Sequence, residues 1–186
     1  MLRRTTQQCA LCAEHHHPMK NAGKTSQGPR IVVRRSGIHG RGVFARRRIR
    51  EDETVCEYKG EIIDEAEAAR RYPEDMDALN HTFVFGVGHD RNIDGGAKGN
   101  SARWINHSCD PNCDTYEKNQ RMYVRAIRDI RPGEELSYDY NIDAGERITK
   151  AVKARWPCWC AAAKCRGTVL VPTLKPTRNK ARQRSG

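Results

Sequence analysis

The 186-residue sequence predicts a mostly β fold with short helices, arranged in small sheets. Two observations lead to this prediction. Short runs that mix β-branched or aromatic residues with polar ones recur along residues 31–171, and clusters of Gly, Pro, Asn and Asp separate them. These runs follow one another and do not alternate with helical patterns, which argues against a βαβ nucleotide-binding sheet.

The elements can be placed in chain order. The predicted strands lie in IVVRR, VFARRRI, TVCEYKGEII, HTFVFGV and MYVRAI. The clearest helical pattern runs from Asp64 to Tyr72, opens with acidic residues and ends before Pro73. A second, weaker helical pattern runs from Glu146 to Trp156 and also ends before a proline.

The net charge of +11 is concentrated at the two ends of the chain. Residues 31–171 carry 24 Lys and Arg against 22 Asp and Glu, whereas the last 15 residues carry five basic side chains and none that is acidic. Both ends hold few apolar residues, so we expect disordered or loosely attached tails. Such tails either keep the chain soluble or make weak contacts with nucleic-acid phosphates, and both explanations stay open.

Composition also limits the compartment. No apolar run approaches the ~20 residues of a membrane span, and the N-terminus lacks the apolar stretch of a signal peptide. We therefore expect no membrane contact and an intracellular location. In such a compartment the eight Cys indicate reduced thiols or metal ligands and not a disulfide framework.

The first motif is a glycine-rich stretch from Gly37 to Gly42, with the order G-x-x-G-x-G. Its spacing and context differ from the dinucleotide-binding fingerprint. Closely spaced glycines let the backbone approach a ligand, and His39 and Arg41 place polar groups beside it. A glycine-rich hairpin turn is the commoner explanation of such a stretch.

Two further motifs carry polar and aromatic side chains. In RWINHSCDPNC, residues 103–113, Asn106 and His107 can each donate and accept hydrogen bonds, which suits contact with a base edge or a carboxylate. In ELSYDY, strand alternation would place Tyr138 and Tyr140 on one face. Two phenols on one face form either a packed aromatic stripe or the lining of a pocket for an amine.

The fourth motif is Cys158-x-Cys160-x4-Cys165. Three thiols within eight residues of a reduced chain indicate tetrahedral Zn²⁺, bound at about 2.3 Å per Zn–S bond. The fourth ligand must come from elsewhere in the chain, and Cys109 and Cys113 are the candidates.

Taken in order, these motifs resemble the SET-domain protein-lysine methyltransferases with a C-terminal post-SET cysteine segment. The resemblance covers about residues 30–170 and is carried by HGRGVF, EYKGE, NHSCDPNC, ELSYDY and the final cysteines. The first 30 residues do not resemble the pre-SET module. Instead they offer a Cys9-x2-Cys12 pair, a weak candidate for a second metal site.

The resemblance implies a SET-domain fold, in which small β-sheets surround a pseudoknot, plus a zinc-bound post-SET segment. The implied boundaries are a basic tail at 1–29, the SET domain at 30–143, a connecting helix with the zinc segment at 144–171, and a basic tail at 172–186.

The implied activity is transfer of a methyl group from S-adenosyl-L-methionine to a lysine of a protein. The expected substrate is a histone-like or nucleoid protein, found in the cytoplasm or nucleoid of a bacterium or in a nucleus or chromosome. Two other classes stay open. One is a non-catalytic SET-like module that binds peptide or nucleic acid through basic tails, and the other is a zinc-ribbon nucleic-acid binder.

The resemblance also assigns the site residues. The positions implied to contact the cofactor are His39, Gly40, Arg41, Asn106 and His107. Tyr140 matches the tyrosine usually assigned as catalytic, and Tyr138 the position that influences the number of methyl groups. Tyr58 is a third candidate catalytic-site residue, because an aromatic wall there would remove water from the lysine ammonium. Phe83 stands where many trithorax-related members have Tyr, so this pocket wall lacks a hydroxyl. The implied structural zinc ligands are Cys109, Cys158, Cys160 and Cys165, with Cys109 preferred to Cys113.

Overall fold

The computed structural model describes residues 28–73, 83–88 and 90–171. Almost all of the two predicted tails lies outside these residues, as do Cys9 and Cys12. Among the described residues, no helix has both the length and the apolar character needed to cross a membrane.

Short strands dominate the described residues. The strands are β1 (Ile31–Arg35), β2 (Arg41–Ala45), β3 (Thr54–Tyr58), β4 (Glu61–Ile63), β5 (Val84–Val87), β6 (Arg91–Asp94), β7 (Asn106–His107), β8 (Cys113–Lys118), β9 (Arg121–Ala126) and β10 (Ser137–Tyr138). The helices are α1 (Glu65–Arg71), α2 (Lys150–Arg155) and a 3₁₀ turn at Ser101–Trp104. The prediction of a mostly β fold with short helices is therefore confirmed.

The strands form four small sheets. Three are antiparallel, namely β1–β2, β3–β9–β8 and β4–β6–β5, and the fourth is the parallel pair β7–β10. In the central strand β9, Met122, Val124 and Ala126 are buried and alternate with more exposed residues. They join one apolar core with Val43 and Ile49, and fully burying such a side chain contributes about 1.5–3 kcal/mol.

Both helices were predicted, one more closely than the other. The Asp64 carboxylate caps α1 by accepting the Glu67 N–H at 2.8 Å, and the helix ends at Arg71, before Tyr72. The second helix starts at Lys150 and not at Glu146, because the Thr149 hydroxyl accepts the Val152 N–H and caps it there.

The strand predictions needed three corrections. The predicted run VFARRRI stops being a strand after Ala45. The run TVCEYKGEII divides into β3 and β4 at Gly60, where a Cβ would lie 2.3 Å from the Asp94 carbonyl oxygen. Strands β6, β7 and β8 were not predicted, because their sequences RNID, NH and CDTYEK are too polar for the pattern that marks a buried strand.

The parallel pair positions the functional residues. Ser137 lies beside Asn106, and Tyr138 lies beside His107. This pairing brings together two motifs that are about 30 residues apart in the chain.

Candidate active site

A cleft of about 730 Å³ contains the predicted catalytic and cofactor-contacting residues. Its walls come from the β1–β2 turn, from β3 and β5, from the β7–β10 pair and from the C-terminal segment. The predicted residues on its lining are His39, Gly40, Arg41, Tyr58, Asn106, His107, Tyr138 and Tyr140. Cys158 and Cys160 also line it, so the cysteine segment borders the same cleft.

The glycine-rich stretch forms the turn between β1 and β2. Gly40 has a φ of +47°, and the Ser36 N–H donates to its carbonyl oxygen at 3.0 Å. Gly42 lies so close to Glu135 that a Cβ would be 2.1 Å from its Oε1 atom. The stretch is thus a hairpin turn that also lines the cleft.

Asn106 holds this turn in place. Its Nδ2 atom lies 2.9 Å from both the Arg41 carbonyl oxygen and Glu135 Oε1. It also lies 3.1 Å from Ser36 Oγ and 3.3 Å from the His39 carbonyl oxygen. Since an amide nitrogen has only two N–H groups, these acceptors saturate it. The amide nitrogen therefore fixes the backbone of the turn.

Ser36 and Glu135 are functional residues that sequence reasoning missed. The Ser36 hydroxyl donates to Glu135 Oε1 at 2.7 Å, and both contact Asn106. Each stands within or beside a motif, but neither has a distinctive spacing that could predict the contact.

His107 connects the cleft to the thiols. Its Nδ1 atom accepts the Tyr140 N–H at 3.1 Å, and its Nε2 atom lies 3.3 Å from Cys109 Sγ. Burial lowers the pKa of His107 to about 4, although the Asp139 carboxylate opposes this shift. The ring is therefore neutral near pH 7, and the Tyr140 contact assigns Nδ1 as the acceptor nitrogen.

The tyrosines form a packed aromatic group that lines the cleft. The ring centroids of Tyr138 and Tyr140 lie 5.1 Å apart, and Phe85 packs against both Tyr138 and Tyr58. The Tyr140 hydroxyl donates to the Ile105 carbonyl oxygen at 2.8 Å. Burial raises the pKa of Tyr138 and of Tyr140, so both remain phenols near neutral pH.

Phe83 contributes an apolar ring and a backbone acceptor. Its ring packs edge-on against Trp104 with centroids 5.1 Å apart, and its carbonyl oxygen accepts the Tyr58 hydroxyl at 2.8 Å. The Arg103 guanidinium lies over both aromatic rings, 5.0 Å from the centroid of Trp104. Tyr58 is thereby oriented by the main chain of Phe83.

Four thiols meet at the edge of the cleft. The Sγ atoms of Cys109, Cys158, Cys160 and Cys165 all lie within 4.8 Å of one another. Cys109 Sγ lies 3.7 Å from that of Cys158 and 4.0 Å from that of Cys165. A tetrahedral zinc with 2.3 Å bonds separates its sulfur ligands by about 3.8 Å, so the spacing fits this metal. Cys113 lies instead in β8, opposite Ala126.

Backbone amides point at these sulfur atoms. The Arg166 N–H donates to Cys109 Sγ and the Gly167 N–H to Cys165 Sγ, both at 3.3 Å. Burial raises the pKa of Cys109 and of Cys158, whereas at Cys160 hydrogen bonds from the Cys109 N–H and from neighbouring groups outweigh burial and lower the pKa to about 6. Zn²⁺ binds thiolates, so the donor set fits the metal chemically as well.

An ion pair joins the thiol cluster to the tyrosine strand. The Arg166 guanidinium donates to both oxygens of Asp139, at 2.6 and 2.8 Å. Asp139 precedes Tyr140 in the chain, and Arg166 follows Cys165. The two walls of the cleft are therefore linked by a two-point contact.

The cleft combines the glycine-rich turn, the tyrosines and a neighbouring thiol cluster. This combination is the one expected of a SET domain that is followed in the chain by a cysteine segment. The model of the SET domain family matches residues 40–141, and the chain belongs to that family.

The chain is also similar to longer proteins of known class. It is 36% identical over 159 residues to histone-lysine N-methyltransferase set1 of Dictyostelium discoideum, and 35% identical over 181 residues to histone-lysine N-methyltransferase mes-4 of Caenorhabditis elegans. These matches cover 82% and 87% of this chain but only 10% and 19% of the relatives. This chain thus spans a minor part of each relative.

A solved structure supports the fold. It is described as ctPRC2 in an autoinhibited conformation bound to S-adenosylmethionine, and it matches with a TM-score of 0.56 and 32% sequence identity. The match covers 61% of this chain and 15% of that chain.

Proposed function

We propose that this chain is an S-adenosylmethionine-dependent protein-lysine N-methyltransferase. The observation that carries the proposal is the half-buried Tyr140, whose hydroxyl is fixed on the Ile105 carbonyl oxygen inside an aromatic cleft. The two relatives named above are histone-lysine methyltransferases, and the solved neighbour binds the methyl donor, which supports the same activity.

The cleft suits an amine that must lose its proton. Bound S-adenosylmethionine supplies an electrophilic methyl group on a positively charged sulfur. Free lysine has a pKa near 10.4, and only its neutral amine is a nucleophile. The aromatic walls formed by Tyr58, Phe85, Tyr138 and Tyr140 remove water from the ammonium, which lowers its pKa. Alignment of the amine in this channel supplies most of the acceleration.

Tyr140 orients and stabilises charge in this proposal. Because burial raises its pKa, the phenol does not act as a base near neutral pH. Its proton is engaged with Ile105, which leaves oxygen lone pairs to stabilise positive charge in the cleft. His39, Gly40 and Arg41 would bind the cofactor from a turn that Asn106 holds rigid, and the neutral His107 ring would fix Tyr140 through its backbone.

Cys109, Cys158, Cys160 and Cys165 would hold a structural zinc that supplies no chemistry to the transfer. It would keep the C-terminal segment against the cleft. We propose the SET domain at residues 30–143 and the zinc segment at 144–171, flanked by basic tails. The proposed substrate is a histone or another basic protein of chromatin, in keeping with the two histone-lysine methyltransferase relatives.

The test is transfer of labelled methyl groups to a panel of histones and other basic proteins, read by mass spectrometry. We expect Tyr140→Phe to lower turnover at least about 100-fold while cofactor affinity, measured by calorimetry, stays within about twofold. The matched control is Tyr123→Phe on the central sheet, which should keep full turnover. Wild-type methylation by Tyr140→Phe would remove Tyr140 from the mechanism. Absence of heat with the cofactor would favour a non-catalytic binding module.

Tyr138 should also limit the product. Its ring packs against Phe85 and Tyr140 on the lining of the cleft, so its hydroxyl would take space from a methylated amine. We propose that the wild type forms mono- or dimethyl-lysine and that Tyr138→Phe shifts the product towards trimethyl-lysine. Mostly trimethyl product from the wild type would contradict this.

A further inference from the structure

The arginines of the described residues are unevenly distributed. Residues 30–50 contain eight arginines and no acidic residue, whereas the described residues from 51 to 171 contain 17 basic and 19 acidic residues. The near-neutral net charge of the domain is therefore the sum of a strongly basic stretch and a mildly acidic remainder. Only Arg41 of these eight belongs to the proposed cofactor site.

The fold gathers part of this stretch on one surface. Arg34 lies opposite Gly42 in the β1–β2 hairpin, and its guanidinium lies 5.9 Å from the centroid of Phe44. The Arg46 N–H donates to the Arg30 carbonyl oxygen, so the pairing of the hairpin continues past β2 in the same register. Alternation along the chain then places Arg46 on the same face as Gly42 and its partner Arg34.

The surface continues past the hairpin. Ile49 pairs with Ile130, so the chain around residue 48 runs beside the chain around residue 131. Arg48, Arg128 and Arg131 line one shallow depression there. The Glu51 N–H donates to Asp129 Oδ1 at 3.1 Å, which places the neighbouring Arg50 near the carboxylate that pairs with Arg48. We call this set the arginine surface; it comprises Arg34, Arg46, Arg48, Arg50, Arg128 and Arg131.

Carboxylates neutralise only part of this charge. Asp129 pairs with Arg48, and Glu134 pairs with Arg128 at 2.7 Å. Among the residues that the structure describes, the other four arginines have no carboxylate within 4.0 Å. These four are Arg34, Arg46, Arg50 and Arg131. All four are exposed, with acidic residues resuming at Glu51.

We propose that the arginine surface binds the phosphate backbone of duplex DNA. A row of exposed cations suits a polymer with regularly spaced negative charges, because each phosphate that a cation neutralises releases condensed counterions. An acidic protein is the weaker candidate, because stable protein interfaces have an apolar core and this surface is lined by charged side chains. The proposal concerns the folded domain and is separate from nucleic-acid contact by the tails.

The biological consequence rests on the proposed function. An enzyme that docks on DNA with one surface presents its more acidic remainder to the basic proteins bound to that DNA. Docking would then raise the local concentration of substrate without any sequence recognition.

The experiment measures binding of the full chain to a fluorescent duplex of about 30 base pairs over a range of salt concentrations, without cofactor. The test variant carries Arg34→Gln, Arg46→Gln, Arg50→Gln and Arg131→Gln. A matched variant removes four other exposed arginines, and so the same charge, with Arg70→Gln, Arg91→Gln, Arg121→Gln and Arg155→Gln. A third variant replaces the four test arginines with Lys.

We expect the test variant to bind at least about tenfold more weakly, and the magnitude of its salt slope to fall by about 4, one for each arginine removed. The matched variant should stay within about twofold of wild type, and the lysine variant should retain most of the binding. Equal loss in the test and matched variants would overturn the proposal, because net charge or the tails would then carry the binding. Equal loss in the lysine variant would also overturn it, since positive charge would then not be the cause.

A second probe, poly-L-glutamate, separates the two partner classes. If the test variant keeps DNA binding but loses binding to this acidic polypeptide, the DNA assignment is wrong. Both experiments measure binding and not catalysis. A negative result would therefore not contradict the proposed methyltransferase activity, and absence of that activity would not contradict DNA binding by the arginine surface.

Discussion

The strand framework up to Tyr138 and the C-terminal segment after Asp143 form two walls of one cleft, but different forces hold them. The framework has a continuous apolar core with fully buried residues such as Val43, Ile49 and Val124. The segment buries few apolar side chains, chiefly Val152 and Leu170. It depends on four thiols, an ion pair and two isolated backbone bridges, Ile142 with Leu170 and Pro157 with Thr168.

The difference has a physical consequence. Apolar burial stabilises the framework whether or not metal is bound, whereas the segment gains most of its stability from ligation and polar contacts. Loss of metal should therefore mainly weaken the C-terminal segment, and a cavity in the apolar core should mainly weaken the strand framework.

Loss of the thiol site should have the largest effect. We expect Cys160→Ala, or a chelator, to lower methyl transfer at least about 100-fold because the segment leaves the cleft. The unfolding midpoint of the framework should change little, as followed by circular dichroism. The matched control is Cys113→Ala, a buried framework thiol, which should keep one zinc per chain by metal analysis. A framework that unfolds with the metal would refute the separation of the two walls.

A core cavity should produce the opposite pattern. Ile49 is fully buried, and Ile49→Ala should lower the free energy of unfolding by about 2–5 kcal/mol. Metal content should stay at wild-type stoichiometry, since Ile49 does not contact the thiols. Denaturant unfolding and metal analysis on one sample check both statements. Simultaneous loss of metal would show that the walls are coupled.

The Arg166–Asp139 ion pair joins the C-terminal segment to the residue that precedes Tyr140, so it should affect catalysis more than stability. Arg166→Lys keeps the charge but loses the two-point geometry, and we expect kcat to fall about tenfold with KM and zinc content nearly unchanged. Asp139→Asn should act similarly, and the double variant should be little worse than either single one. The control, Arg155→Lys, alters an exposed pair with Glu146 and should be neutral. Additive losses would mean that the two residues act separately.

Acid should weaken the framework through Asp94. Burial alone would raise the pKa of Asp94, but hydrogen bonds from Arg71, Tyr72 and the Gly96 N–H outweigh it and lower the pKa. Its ionised form therefore adds stability above the unfolded pKa near 3.9, and this stability is lost as pH falls through the lower folded value. Asp94→Asn should lower the unfolding temperature at pH 7 and reduce its dependence on pH below about 4. The exposed Asp90→Asn should change neither; an unaltered acid transition in Asp94→Asn would contradict the assignment.

The smallest effect concerns the backbone of the C-terminal segment. Ala161 has a φ of +54°, a conformation that favours Gly. Ala161→Gly should stabilise the segment by about 0.5–1 kcal/mol and slow metal loss to a chelator, with no change in framework stability. Ala163→Gly has no positive φ to relieve and should give no gain. A faster metal loss in Ala161→Gly would show that chain entropy outweighs strain there.

Sequence reasoning found the residues of the cleft because they stand in compact motifs. Asn106, His107 and Tyr140 stand in two of these motifs, and the fold places all three on the lining of one cleft. It missed the contacts of Ser36 with Glu135, which are 99 residues apart and carry no local signal. Spacing alone also left two candidates for the fourth thiol, because only the fold decides which cysteine reaches the cluster.

The missed strands have a related cause. In β8 and β9, Tyr116 stacks on Tyr123 and Arg125 pairs with Asp114 across the strands. These cross-strand contacts stabilise a polar strand that local hydrophobic patterning cannot identify.

The parallel pairing of Asn106 with Ser137 sets an order of events in folding. The β8–β9 hairpin joins neighbouring residues and can form early, whereas β7 must wait for a strand about 30 residues further along. The floor of the cleft is therefore completed late, when β10 arrives. A refolding chain should regain the signal of its hairpins first and its capacity to bind a ligand last.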